Sequence, residues 1–381
     1  MALEIESRTA VISDEGLPVE ELVVNVGPSH PSTHGVGRVI VRLDGDIVVG
    51  ADPVIGYLHR GIEKMAENRT YLQVVPLTDR LDYVGSMYAN WAYCRAVERL
   101  ANIRVPERAE YLRVIVCELQ RIASHMMGIG AAAADTGAFT MFIYAFDVRE
   151  RVVELFEALC GARLTYNYVR PGGVSQDAPA GWTDDALAFC ASLPDSLSEM
   201  DKLFFGNTIA RGRLKGIGVL SPEDAVAWGA SGPTARGSGV NWDLRKNDPY
   251  SVYPRMEFDV VVGERGDAYD RGRVRLLECY ESAKIIVQAI SQMSRGAYKA
   301  DGLQRLITPP VGDAYDHIES ARGSLGVYLV SDGSPRPYRM KVRSPAFCNL
   351  ALLPMLSVGH TLSDLVVILG SLDPVFGEVD R

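Results

Sequence analysis

The sequence predicts an α+β fold that is mainly α, and three observations predict it. Several long stretches carry apolar residues at helical spacing. A pair of runs near the N-terminus alternates at period two around a turn signal. A second pair of short apolar runs flanks another turn in the last third.

The elements follow in order. Val23 to Val26 alternates weakly and enters the turn-rich run Gly27-Pro28-Ser29-His30-Pro31. Val36 to Leu43 reads as a strand, Asp44-Gly45-Asp46 as a turn and Ile47 to Val49 as the return strand of a β-hairpin. Thr78 to Asn102 reads as an amphipathic helix with Asp79 near its start. Pro106 opens a helix over Glu107 to Met127, where Leu112, Val116, Leu119, Ala123 and Met126 form one stripe. Ala138 to Ala162, Trp182 to Phe205 and Asp270 to Met293 are three further long helices, and Pro222 to Trp228 is a short one capped by Ser221. Leu325 to Val330 and Tyr338 to Val342 read as strands around Ser331-Asp332-Gly333-Ser334, and the last helix covers Gly359 to Ile368. Ala230 to Arg255 is the longest irregular stretch, and its length points to a functional or interface loop. Gly128 to Phe146, rich in Ala and Gly and interrupted by Asp135, reads as a tightly packed internal helix or turn. The chain divides into an N-terminal extension (1–18), a hairpin region with a candidate functional loop (19–64) and a helical domain with C-terminal β elements (65–381).

Composition bounds the function. Of 381 residues, 47% are hydrophobic and 23% charged, which suits a globular chain with a sizeable core. The net charge of −9 argues against nucleic-acid binding, since neutralising phosphates needs excess Lys and Arg. Six cysteines stand at 94, 117, 160, 190, 279 and 348, none in a C-x-x-C arrangement. That excludes a disulfide scaffold and a cysteine-based zinc or iron–sulfur ligand set, and it fits a reducing cytoplasmic setting. The first residues lack the basic start and apolar core of a signal peptide, and no apolar run reaches about 18 residues, so a membrane role is expected to come through partners.

Four clusters carry the candidate chemistry. In Gly27-Pro28-Ser29-His30-Pro31-Ser32-Thr33-His34-Gly35 two histidines stand four apart, but the prolines and glycines make a long helix, and so a helical metal site, a poor fit. The remaining readings are a turn whose histidines cap the backbone and a functional loop before a hairpin. Tyr57-Leu58-His59-Arg60-Gly61-Ile62-Glu63-Lys64 reads as a charged turn entering a helix. In Asp79-Arg80-Leu81-Asp82-Tyr83, the spacing puts Arg80 and Tyr83 on one helix face. A tyrosine hydroxyl of pKa about 10 gives its proton only to a strongly basic partner. Glu118, Arg121 and His125 form a polar stripe that is either an internal ion-pair network or a solvated face. Asp135, alone in an apolar run, must pair or shift its pKa upward.

Taken in order, GPSHPSTHG, IGYLHRGIEK, NRTYLQ, DRLDYV, ELQRIASH, YVRPGGV, SGVNWDLRK, LVSDGSPRPYRMKVRSPAF and SLDPVFGEVDR resemble the hydrogenase-like quinone-site subunit of complex I (its D subunit), from about residue 20 to the C-terminus. That family is similar to the large subunits of nickel–iron hydrogenases, which implies their helical core with β elements at both ends. Hydrogenases hold their metal with two C-x-x-C pairs. Here the matching segments read Asp82-Tyr83-Val84-Gly85 and Asp373-Pro374-Val375-Phe376, with no thiolate for a nickel–iron centre.

The resemblance implies membership of a proton-translocating NADH:quinone oxidoreductase, a translocase in which this chain is inactive alone and lies peripherally on the cytoplasmic face of the cell membrane. No metal or redox cofactor is expected on this chain. Quinone is the substrate, and a [4Fe–4S] cluster is expected in the adjacent subunit. The implied partners are the B subunit, which carries the terminal cluster, the C and I subunits and the membrane-embedded H subunit, with no nucleic acid. His34 and Tyr83 are implied to hydrogen-bond the two ends of the quinone headgroup, and Asp135 to pair with that histidine. His30, Arg60, Arg80 and Thr165 are implied to lie at the pocket or near the partner's cluster. Two departures stand out. Thr165 occupies a place where the family commonly has a histidine, and the stretch Val311 to Ile318 is shorter than the helix-bearing insert of most members. The first predicts a flatter dependence of the cluster's potential on pH. A redox titration of the assembled complex that returns a full proton-coupled slope contradicts it.

Overall fold

The computed structural model describes residues 4–12, 18–30, 33, 35–304 and 306–381. It opens with an antiparallel sheet in sequential order: β1 (Glu4–Ile12), β2 (Pro18–Val26), β3 (Arg38–Asp44) and β4 (Ile47–Val54). The expected hairpin is β3–β4, and β1 lies within the stretch set apart as an extension. Helices α1 (Ile62–Ala66), α2 (Tyr71–Thr78), α3 (Ser86–Ala101), α4 (Glu107–Asp135) and α5 (Phe139–Cys160) follow. After a two-rung ladder of β5 (Val169–Arg170) and β6 (Gly173–Val174) come α6 (Trp182–Met200), extended by a π turn to Phe205, then α7 (Thr208–Leu214), α8 (Pro222–Ala227), α9 (Pro233–Gly237), α10 (Leu244–Asn247) and α11 (Ala268–Gln292). A second antiparallel sheet, β7 (Gly312–Ser320), β8 (Gly323–Ser331) and β9 (Arg339–Arg343), precedes α12 (Pro345–Leu350), α13 (Leu353–Ser357), α14 (Leu362–Leu372) and α15 (Phe376–Asp380).

The mainly α, α+β expectation holds, and the differences from the sequence reading have physical causes. The helix expected from Thr78 does not run through. Residues 79–85 form turns between α2 and α3, so Arg80 and Tyr83 share a turn and not a helix face. The Asp82 carboxylate takes the Val84 N–H at 3.1 Å, which offers the backbone an alternative to the helical ladder. The stretch Val311 to Ile318, read as a shortened loop, lies largely in β7, whose pairing with β8 alternation did not reveal. The stretch Ala230 to Arg255, read as irregular, is partly helical. It folds into α9, α10 and a 3-10 turn, and Arg236, Asp243 and Arg245 are buried.

Those buried charges settle the α4 stripe, which is an internal network. Arg245 donates to Glu118 at 3.0 Å and to Asp243 at 2.7 Å; Arg121 donates to Glu118 at 3.2 Å. Arg236 spans Glu278 at 2.8 Å and Glu319 at 2.7 Å, and Glu278 meets His125 Nε2 at 2.8 Å. Burial pushes the His125 imidazole down to about 4, against the pull of Glu278, so it is neutral near pH ~7. Each acid in the set has a cation partner, which is the condition for keeping charge in an apolar interior.

Two cores hold the molecule. The larger joins α3, α4, α5 and α11 to the sheet β7–β9. The smaller packs Val24, Val26, Val39, Val41 and Val48 of the first sheet against Leu353, Ile368, Leu372, Phe376 and Val379 of the C-terminal helices. It brings the two ends of the fold together: a Cβ on Gly37 would overlap the Phe376 ring. Among the described residues no helix is long and apolar enough to cross a membrane. Arg236→Leu leaves Glu278 and Glu319 buried without their guanidinium and is expected to cost about 3–5 kcal/mol of stability, read as a drop in thermal midpoint.

Candidate functional site

The site lies where the 79–85 turns, the end of α4, the β7–β8 turn and the α14–α15 connection converge. Asp82 is pinned by its bond to Val84, and Gln120 of α4 donates to the Val84 carbonyl at 2.6 Å. Tyr83, between them, lines a cavity of about 330 Å³. Across it stand Asp135, Phe142, Arg322 and Asp373. The Ala and Gly run of α4 gains its meaning here. Gly128, Ala131 and Ala134 line the cavity, and a Cβ on Gly128 would come within 3.0 Å of the Asp373 carboxylate. Hollows of about 590 and 620 Å³ lie elsewhere, beside residues 101–106 and between α6 and α11. Neither is lined by a buried cation bridging two carboxylates, and that convergence marks the smaller cavity as the site.

The bridging cation is Arg322. Its Nη1 donates to Asp82 at 2.8 Å and to the Ser124 hydroxyl at 3.0 Å. Its Nε donates to the Asp373 carbonyl at 3.0 Å, and its Nη2 lies 3.2 Å from the Asp373 carboxylate. Arg275 stands behind, 3.8 Å from Asp373. Asp82 and Asp373, remote in sequence, are thus neighbours joined by one guanidinium. Burial holds the Tyr83 hydroxyl above its ordinary value, with Asp82 and Asp373 adding to the rise and Arg322 and Arg60 opposing it. Tyr83 therefore keeps its proton until a strong base is beside it.

The predicted site residues distribute as follows. Tyr83 and Asp135 share the cavity wall. His34 lies outside the described residues. Gly35, next in the chain, is described, and a Cβ there would lie 3.4 Å from the Tyr83 hydroxyl oxygen and from the Phe376 ring. His30 is half-buried in the same loop, its carbonyl accepting from the Thr33 N–H at 3.1 Å and hydroxyl at 2.7 Å. It is not among the described residues lining the cavity. Arg60 and Arg80 are exposed side by side, Arg60 donating to the Arg80 carbonyl and Arg80 to the Pro76 carbonyl at 2.6 Å. Thr165 adopts a left-handed conformation (φ 53°) in a loop tied to this face, where the Asn167 N–H reaches Asp79 at 3.2 Å.

Arg322 and Ser124 were not singled out in the sequence, where Asp82 stood within the 79–83 cluster and Asp373 only as a place without a thiolate. Arg322 sits in a tight turn before a glycine, a setting that reads as solvent-exposed.

Comparisons with known proteins decide the family. Residues 135–381 match the family model described as respiratory-chain NADH dehydrogenase, 49 Kd subunit. The D subunit of the NADH-quinone oxidoreductase of Desulforamulus reducens is 51% identical over 364 residues, covering 96% of this chain and 99% of the relative. The chain belongs to the complex I D-subunit family. Relatives of the same name from Bacillus cereus and Clostridium beijerinckii are each 48% identical and cover 95% and 97% of the chain and 99% of their own lengths.

Burial lifts the Asp79 carboxyl from 3.8 to about 6, only partly offset by Asn167, Asn90, Arg80 and Arg170. Because the folded value is raised, the native state holds this proton more tightly than the unfolded chain. Its burial costs stability above pH about 6, and the cost fades as pH falls toward about 4. Asp79→Asn is expected to stabilise by on the order of 2 kcal/mol at pH ~7.5 and by little near pH ~4, read by thermal denaturation at both.

Proposed function

We propose that this chain is the quinone-binding core subunit of a proton-translocating NADH:quinone oxidoreductase. In this reading it forms the quinone site with the neighbouring iron–sulfur subunit. The observation that carries the reading is the cavity walled by Tyr83 and Asp135, with the backbone of Gly35 against the tyrosine hydroxyl. In this reading the Arg322 bridge on its wall takes the place of a hydrogenase's metal.

The chemistry is a two-electron reduction. Quinone takes two electrons from the partner's cluster and two protons from this chain, giving quinol. Tyr83 donates one proton at one carbonyl end and His34 the other, leaving a tyrosinate and a neutral imidazole that draw their protons back from water. The Arg322 and Arg60 charges support the tyrosinate when it forms. Asp135 favours the charged form of His34 and orients its ring. Arg60 and Arg80, exposed together, face the neighbour, where fixed positive charge raises a cluster's potential and draws electrons toward quinone. His30 and Thr165 complete the set assigned in this reading to the pocket or to tuning of the neighbour's cluster.

In this reading the chain holds no metal, flavin or cluster of its own and sits peripherally on the cytoplasmic face of the membrane. The B, C and I subunits and the membrane-embedded H subunit hold it there. Proton uptake at the site drives translocation in the membrane arm.

In the purified complex, His34→Ala and Tyr83→Phe are each expected to lower quinone reductase turnover by about 10²-fold or more, the scale of a lost general acid. Electron flow to a hydrophilic acceptor upstream of this chain is expected to persist. Unchanged quinone turnover in both variants refutes the assigned roles.

A further inference from the structure

A buried carboxyl beside the site has no part in the chemistry above. Glu378, on α15, is fully buried behind Asp82 and Arg322. Its Oε2 accepts the Ala346 N–H at 3.2 Å, while Oε1 meets no hydrogen-bond partner among the described residues. The adjacent cation is already committed, since Arg322 gives its donors to Asp82, Ser124 and both the carbonyl and carboxylate of Asp373. Arg322 and Arg275 also match Asp82 and Asp373 charge for charge, so a third carboxylate would leave the pocket wall with an uncompensated negative charge.

The other faces around Glu378 offer little. From α12 come a backbone N–H and the Ser344 hydroxyl, which also accepts from the Phe347 N–H. Arg60 lies over Gly377 but donates to the Arg80 carbonyl. Asp380 and Arg381, at the end of the same short helix, serve the Gly56 and Leu58 N–H groups and the Val342 carbonyl. A buried carboxyl without a cation keeps its proton.

We propose that Glu378 is a positioning residue of the quinone site that must be in its neutral acid form, so that Arg322 stays divided between Asp82 and Asp373 behind Tyr83. Ionised, Glu378 competes for Arg322 and loosens the wall that sets Tyr83. Burial and the Asp82 charge push Glu378 up to about 8, so the competent form prevails below that pH and is lost as pH rises through it. Of Asp82 and Glu378 the proton belongs to Glu378, because Asp82 has Arg322 at 2.8 Å.

This inference rests on the quinone-site reading, and the two fail separately. Full turnover in both His34→Ala and Tyr83→Phe removes that reading. The inference is tested by the pH profile of NADH-driven reduction of a short-chain quinone by the whole complex, with a hydrophilic upstream acceptor as control. Wild-type turnover is expected to fall about tenfold per pH unit above about 8, with no matching fall in the control. In Glu378→Gln, whose amide cannot ionise, that alkaline limb is expected to vanish. In Asp82→Asn, which removes the repelling charge, it is expected to move to lower pH. A wild-type profile flat to pH ~9.5, a Glu378→Gln profile that keeps the wild-type limb, or an unmoved limb in Asp82→Asn overturns the proposal.

Discussion

The Arg322 guanidinium is shared by three parts of the chain that are remote in sequence. It takes Asp82 from the turns after α2, Asp373 from the end of α14 and Ser124 from the middle of α4, all without solvent. Leaving a buried charge unpaired costs several kcal/mol, so any rearrangement that frees Arg322 is resisted by both carboxylates together. The cavity inherits its shape from this. Tyr83 follows Asp82 and Pro374 follows Asp373, so fixing the two acids fixes two walls.

Helix α4 separates this site from a second charged interior. Ser124 faces Arg322, while His125, the next residue, faces Glu278 on α11. Arg121 continues the second set and also reaches the Glu319 and Ser320 carbonyls, just ahead of Arg322 in the chain. The turn that carries Arg322 is thereby held from both sides. A helix lined with leucine and alanine alone would pack as well, yet it would not dictate where that turn sits.

Much of the frame was legible in the sequence, because helical and alternating periodicities survive wherever one face is apolar. The long helices from Glu107 onward and the β3–β4 hairpin fall near where the spacing puts them. The break at 79–85 was not legible, since it depends on Asp82 capturing a neighbouring N–H and on a distant arginine for which periodicity gives no sign. The short helices after Ala230 were hidden for a related reason. Gly, Ser, Pro and Asn interrupt any periodicity there, while the arginines and acids among them pair in the interior. Of the site, Tyr83 and Asp135 were readable as residues that match a family. The cation that sets their surroundings became visible only once the chain was folded.

The first sheet packs on the last helices, with Gly37 against Phe376 and Gly56 and Leu58 bonded to Asp380. This ties the site to the order of synthesis. A ribosome delivers the first sheet long before α15, with the whole helical body between them, so a nascent chain that stops short of α15 lacks the Phe376 ring that Gly37 packs against. Contacts of such sequence separation form late in folding because they bear the largest loop-closure entropy. A chain cut before α15 would keep most of its core yet lack the seat for its N-terminal loop. Emergence of that short helix thus decides when the first sheet can dock on the helical body.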